Sequence, residues 1–207
     1  MARRFLLILL AALALPGSAL AQQVVGSVSR LQGHVVAVAA GVSRNLAVGG
    51  AVDRGDTLRT GDRARIEVHF ADGTVLVLGE DAVLAVERYS FDPAGKSGDA
   101  LLSLERGPFL LDSGALAKLP GRPLHIKTPV ASIGLRGTRF WGGPLDETYN
   151  VLLFEGAVTV TNAAGSVELV TPGAGTSTAR PDQPPSTPLQ WSDERIRRAV
   201  ATVSFER

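Results

Sequence analysis

The chain has 207 residues, of which 45% are hydrophobic and 20% are charged, and it contains no cysteine. This apolar content argues against a disordered chain, and the lack of cysteine excludes a disulfide scaffold, a thiolate zinc site and a cysteine nucleophile. The formal net charge is only +1, so the sequence has no overall positive field to attract nucleic acid or anionic lipid.

Residues 1–21 have the organisation of a secretory signal peptide. Arg3 and Arg4 form a short basic start, an apolar run follows over residues 5–15, and a small-x-small pattern ends at Ala21. The apolar run is much shorter than the ~20 residues of a membrane-spanning helix. We therefore expect a signal helix that is cleaved after Ala21, and a periplasmic or secreted mature protein without a transmembrane helix.

Residues 22–179 have the pattern of a mainly β domain. Ile66, Val68 and Phe70 alternate with polar residues, which is the period of a half-buried strand. An Asp-Gly turn follows at residues 72–73, and the next run is apolar on both faces. Turn residues recur every few positions and bound further candidate strands. These are 24–29, 34–39, 83–87, 101–104, 109–112, 124–127, 149–154, 158–161 and 166–170.

The C-terminal part has a different composition. Residues 180–189 contain four prolines and predict an extended linker. Residues 190–207 predict a short helical tail that begins near Ser192, with Ile196, Val200 and Val203 on one side. This tail either docks on the domain or forms a helix that binds a partner or a membrane surface.

Residues 127–140 contain an unusual density of special residues. Gly134 and Gly137 lie within a run that otherwise resembles a strand, which indicates a backbone bend or a close chain approach. Arg136 and Arg139 therefore project from a structured corner. Each arginine either ties neighbouring turns together through carbonyls or a buried carboxylate such as Glu155, or receives a carboxylate or phosphate from a partner.

The same residues carry a resemblance to a known family. The block Lys-Thr-Pro followed by Gly-Leu-Arg-Gly-Thr-Arg-Phe, within residues 127–140, resembles the signature of the FecR domain family. Residues 55–60 and 66–74 upstream and residues 154–160 downstream resemble it as well, so the resemblance covers roughly residues 24–178. It implies a non-catalytic, periplasmic, all-β domain, built as a short β-helix or solenoid-like stack of strands and used in signalling.

The best-known members of that family differ from this chain in organisation. In those members the domain lies outside a single transmembrane helix, an anti-sigma segment lies inside the cell, and a TonB-dependent transporter delivers the signal. Here the expected signal peptide takes the place of the cytoplasmic segment. We therefore expect a stand-alone exported protein with an envelope protein as partner, no nucleic-acid partner, and Lys127, Arg136 and Arg139 as the partner-binding candidates.

Catalytic sites find little support in the sequence. Its three histidines are isolated, none lies in a spaced metal-binding motif, and no Gly-x-Ser-x-Gly turn is present. Asp53 and Asp56, and the pair Glu80 and Asp81, suit turn capping better than acid–base or calcium chemistry. We predict no cofactor, metal or catalytic residue. A cell-wall or polysaccharide-binding module is the alternative function, and a hydrolase would require those four carboxylates to converge.

Overall fold

The computed structural model describes residues 23–94, 96–121 and 123–206, of which the predicted signal peptide is not a part. This part of the chain forms sixteen strands, a short 3₁₀ helix at Leu116–Lys118 and one α-helix. The elements are β1 Val24–Gln32, β2 Val35–Ala39, β3 Val42–Asn45, β4 Ala51–Asp53, β5 Thr57–Thr60, β6 Arg65–Phe70, β7 Val75–Leu78, β8 Val83–Asp92, β9 Ser97–Arg106, β10 Phe109–Asp112, β11 Leu124–Lys127, β12 Ser132–Leu145, β13 Thr148–Asn162, β14 Gly165–Leu169, β15 Ala174–Thr178, β16 Leu189–Gln190 and α1 Asp193–Ala201.

The strands form one curled sheet with the shape of a half-barrel. Its main path has the order β3-β2-β5-β8-β9-β11-β12-β10-β7-β6-β1-β4, and β13 extends it from β12 to β14, β15 and β16. Every pair is antiparallel except β9 with β11. The prediction of a mainly β chain with a short C-terminal helix is therefore confirmed, whereas the predicted β-helix-like stack is not, because neighbouring strands alternate in direction.

An ion-pair cluster joins the two ends of the main path. Arg44 on β3 donates a hydrogen bond to the carbonyl of Ala51 on β4, over 3.2 Å. The same guanidinium pairs with Asp53 at 3.3 Å and also with Asp56, whose side chain is completely buried. These contacts link the outermost strands of the path, so the sheet curls back on itself.

The β12–β13 hairpin corrects one detail of the sequence prediction. Two separate strands are predicted at 149–154 and 158–161, but both belong to the single strand β13. Gly156 lies between them with a φ of +81°, and a Cβ there would come within 2.0 Å of the Gly137 carbonyl oxygen. The register shifts at this point, so Gly156 forms part of a β-bulge and does not end the strand.

The concave face of the sheet holds the main core. Phe109 and Phe140 meet edge to face with ring centroids 5.3 Å apart. The predicted alternation in β6 is confirmed, because Ile66, Val68 and Phe70 are all buried. Burial of each such side chain stabilises the fold by about 1.5–3 kcal/mol.

A buried carboxylate connects the β6–β7 turn to β8 and to the short 3₁₀ helix beside this core. Asp72 accepts hydrogen bonds from the Tyr89 hydroxyl at 2.9 Å, from the backbone N–H of Thr74 and from that of Leu116. Burial and the adjacent Asp72 carboxylate raise the pKa of Tyr89 far above its usual value, so its hydroxyl keeps the proton that it donates. The Asp-Gly turn of the sequence is thus an anchor as well as a chain reversal.

The C-terminal segment packs on the opposite, convex face of the sheet. Its residues Trp191, Ala199 and Val203 form a second buried cluster with Trp141 and Leu152 of the sheet. The Trp141 indole N–H donates to the Thr202 hydroxyl at 3.0 Å, and Ser192 caps the start of α1. No helix in the described part of the chain is both long and apolar enough to span a bilayer.

Candidate partner-binding surface

The three predicted binding residues all lie on the convex face. In β11, Leu124 and Ile126 are buried while Lys127 is exposed. Side chains of β12 alternate in the same way, since Ile133, Leu135 and Phe140 point into the core. Arg136 and Arg139 point to solvent. The alternation that builds the core therefore places all three cations on one side of the sheet.

Backbone geometry fixes the two arginines. Gly137 adopts a φ of +57°, which makes a bulge between them. Thr138 is buried in this bulge, where its hydroxyl donates to the Ala157 carbonyl at 2.6 Å and its N–H donates to the Ser113 hydroxyl at 2.7 Å. The Gly-Thr pair of the motif is thus structural, and it holds both arginines on a rigid strand.

A second turn fixes Lys127. The Thr128 hydroxyl donates to the Ala131 carbonyl at 2.9 Å and accepts from the N–H of Ala131 at 3.1 Å, closing the turn around Pro129. This turn connects β11 to β12, and Lys127 lies directly opposite Ser132. The Thr-Pro pair of the motif is therefore also structural.

The two guanidinium groups carry no hydrogen bond or ion pair to another residue that the structure describes. Arg139 lies over the Phe154 ring, 5.9 Å from its centroid. Glu155 is opposite Arg139 across the β12–β13 pair, but it is exposed and forms no ion pair with it. The suggested tie to a buried Glu155 is therefore absent, and both cations are accessible.

Strand pairing arranges the convex face around Arg139 in two parallel rows. The row beneath the C-terminal segment is apolar, and we call it the covered row. It consists of Val77, Leu110, Trp141 and Leu152. The next row is more polar, and we call it the charged row. It lies two residues along β7, β10 and β12, and three along β13 because of the bulge. It consists of His69, Val75, Asp112, Arg139 and Glu155.

An open groove lies between these rows and has a volume of about 230 Å³. Its lining residues come from β6, β7, β10 and β12, and are Glu67, Val75, Val77, Leu110, Asp112 and Arg139. Sequence reasoning identified Arg139 but missed Glu67 and Asp112. Alternation alone places these acids on the outer face, but the strand order that brings β10 between β7 and β12 is not visible in the sequence.

Three of the four candidate catalytic carboxylates, Asp53, Asp56 and Glu80, make structural contacts. Asp56 accepts the backbone N–H of Asp53 at 2.8 Å and pairs with Arg44, as the capping hypothesis predicts. Glu80 instead accepts the N–H of Arg63 at 3.2 Å. Among the described residues, no group of three or more His, Asp or Glu side chains is arranged to hold a metal ion.

The tryptophans do not form a sugar platform. Trp141 and Trp191 are both buried and pack against each other with ring centroids 6.2 Å apart. Their faces are committed to the contact between the sheet and the C-terminal segment. Neither ring is available for the stacking contacts that the polysaccharide-binding alternative needs.

Comparisons with known proteins agree with this fold. No curated protein matches the chain. Two crystal structures of a candidate anti-sigma factor from Parabacteroides distasonis are similar, at 17% and 18% identity with TM-scores of 0.53 and 0.54. Each comparison covers 68% of this chain but only 62% of the solved one. The model of the FecR protein family matches residues 56–159, about half of the sequence, and this match shows that the chain belongs to the FecR family.

Proposed function

We propose that this chain is a non-catalytic, exported FecR protein that binds an envelope protein partner in a signalling or regulatory pathway. Membership of the FecR family supports the regulatory role, and the name of the similar solved structures, a candidate anti-sigma factor, agrees with it. The signal-like pattern of residues 1–21 supports export. Processing after Ala21 would leave Gln22 as the first residue, which N-terminal sequencing of the exported protein tests directly.

One observation carries the binding proposal. Lys127, Arg136 and Arg139 are exposed on one face of the sheet, and the structure gives them no ionic partner among the described residues. Arg88, by comparison, forms an ion pair with Asp99 at 2.8 Å on the protein surface. Because the turns around Thr128 and Thr138 already hold the backbone, binding costs little backbone conformational entropy.

The chemistry of these cations indicates carboxylates on the partner. A guanidinium group offers a planar set of donors that fits a carboxylate with two parallel hydrogen bonds. Arginine is also one of the residue types that contribute most to protein–protein interfaces. We therefore assign Arg136 and Arg139 the principal contacts and Lys127 a supporting electrostatic one.

The test compares two triple variants that remove the same charge. One replaces Lys127, Arg136 and Arg139 with alanine, and the other replaces three exposed arginines elsewhere, Arg63, Arg180 and Arg197. Each tagged variant is expressed in its host, crosslinked in the envelope and analysed by mass spectrometry. We expect the control to retain the crosslinked partner of the wild type and the first variant to lose it. Equal crosslinking by both variants would contradict the proposal.

A further inference from the structure

The groove bordered by Arg139 has an apolar floor and charged walls. Val75, Val77 and Leu110 form the floor. Asp112 and Arg139 face each other across the β10–β12 pair, one of them acidic and the other basic. This combination suits a ligand that carries an apolar group together with both kinds of charge.

The two wall charges form no ion pair with each other. Asp112 is exposed and forms no ion pair with another described residue, and Arg139 lies toward Phe154. Glu67, by contrast, already accepts a hydrogen bond from the Ser29 hydroxyl at 2.6 Å. The groove therefore presents one accessible carboxylate and one accessible guanidinium group beside its apolar floor.

The dimensions of the groove match a short extended chain. It crosses four strands, from β6 to β12, and three strand spacings amount to about 14 Å. An extended peptide of about four residues has this length. The groove opens to solvent, whereas sites for small molecules are concave and enclose most of the ligand.

We propose that this groove binds an extended peptide segment of the partner protein. An apolar side chain packs on Val75 and Leu110, a lysine or arginine pairs with Asp112, and an aspartate or glutamate pairs with Arg139. This inference rests on the proposed function, since it specifies how the partner uses the surface around Arg139.

The experiment uses random dodecapeptides displayed on phage, selected against the immobilised, purified chain. We expect enriched peptides to carry an apolar residue with a basic and an acidic residue within about four positions, as the length of the groove requires. Fluorescence anisotropy with a labelled enriched peptide then gives the affinity of each variant. Asp112→Lys and Arg139→Glu are each expected to weaken binding at least tenfold.

Two controls make the result specific to the groove. Glu168→Lys changes the net charge as Asp112→Lys does, but it lies on β14 outside the groove lining, so it should leave the affinity unchanged. A peptide with its basic residue changed to an acidic one should regain affinity for Asp112→Lys. Near-ultraviolet circular dichroism verifies that each variant is folded, as expected for exposed positions.

Three outcomes would overturn the proposal. Selection could enrich no peptide, or it could enrich peptides without the combination of apolar, basic and acidic residues. The enriched peptides could also bind both charge-reversal variants with the same affinity as they bind the wild type. Failure of this proposal can be distinguished from failure of the proposed function. If peptide selection fails while the alanine variant of Lys127, Arg136 and Arg139 still loses the crosslinked partner, the groove is wrong and the basic surface stands.

Discussion

The covered row and the charged row lie side by side on the same face of the same strands, yet they have opposite roles. In the covered row Trp141 and Leu152 are fully buried, because the C-terminal segment takes the place of solvent. In the charged row Asp112 and Arg139 are exposed. A shift of two residues along a strand therefore separates a structural surface from one that is available for binding.

The largest expected effect comes from the centre of the covered row. Trp141→Ala removes the contact with Trp191 and the hydrogen bond to Thr202. We expect it to lower the free energy of unfolding by about 3–5 kcal/mol, because truncation of a buried aromatic residue leaves a cavity. Urea titration measures this loss. Trp141→Phe keeps most of the apolar contact and should lose less; equal losses would show that packing is not the cause.

The next effect tests how closely the C-terminal segment approaches the sheet. A Cβ at Gly79 would lie 2.3 Å from the Thr202 carbonyl oxygen and 2.6 Å from Pro108. We expect Gly79→Ala to destabilise the chain by about 1–3 kcal/mol through overpacking. Gly134→Ala is the matched control on the uncovered part of β12, where a Cβ meets nothing within 4 Å. Thermal melting compares the two variants, and a similar Tm for both would refute close docking.

A smaller effect concerns the polar edge of the docked helix. The Arg195 guanidinium lies 4.0 Å from the Trp191 ring centroid and donates to the Asn150 side chain at 2.9 Å. We expect Arg195→Ala to cost about 1–2 kcal/mol, from the lost cation–π contact and hydrogen bond. Arg197→Ala is the control, since that side chain is exposed and, among the described residues, pairs only with Glu194 on its own helix. Equal values in urea titration would mean that Arg195 does not hold the helix.

The smallest effect is expected at the basic surface. Lys127→Ala and Arg136→Ala should change the free energy of unfolding by no more than about 0.5 kcal/mol, because both side chains are exposed. Urea titration of each single variant measures this. If Arg136→Ala lowered the free energy of unfolding by about 2 kcal/mol, Arg136 would have the structural role that the sequence analysis left open.

Sequence patterns predicted what depends on local periodicity. Alternation gave the buried set Ile66, Val68 and Phe70, and the predicted strands at 109–112 and 124–127 agree with β10 and β11. Alternation did not predict the long strand β13. Gly156 resembles a residue that ends a strand unless its bulge partner Gly137 is known. The sequence shows that the run Val75–Leu78 is apolar on both faces. It does not show why the outer face is apolar, because the residues of the C-terminal segment that cover Val77 lie more than a hundred positions later.

In the candidate site too, local patterns were predictable and contacts between distant segments were not. The motif identified the positions of Arg136 and Arg139, and alternation explains why they face solvent. Asp112 was not identified, because its position opposite Arg139 depends on a non-sequential strand order. The proline-rich segment was expected to be an extended linker, and its boundaries remain a prediction. The end of this segment nevertheless begins the short strand β16, which pairs with β15. The backbone N–H of Ser186 also donates to the carbonyl of Ser177 on β15.

The Arg44 cluster gives this cysteine-free chain a closure that does not depend on thiol chemistry. A disulfide at the same place would open under reducing conditions, whereas an ion pair responds to ionic strength instead. Asp56 is buried, so mobile ions screen this pair far less than they screen the exposed cations on the convex face. Raising the salt concentration should therefore release a charged partner well before it loosens the curled sheet.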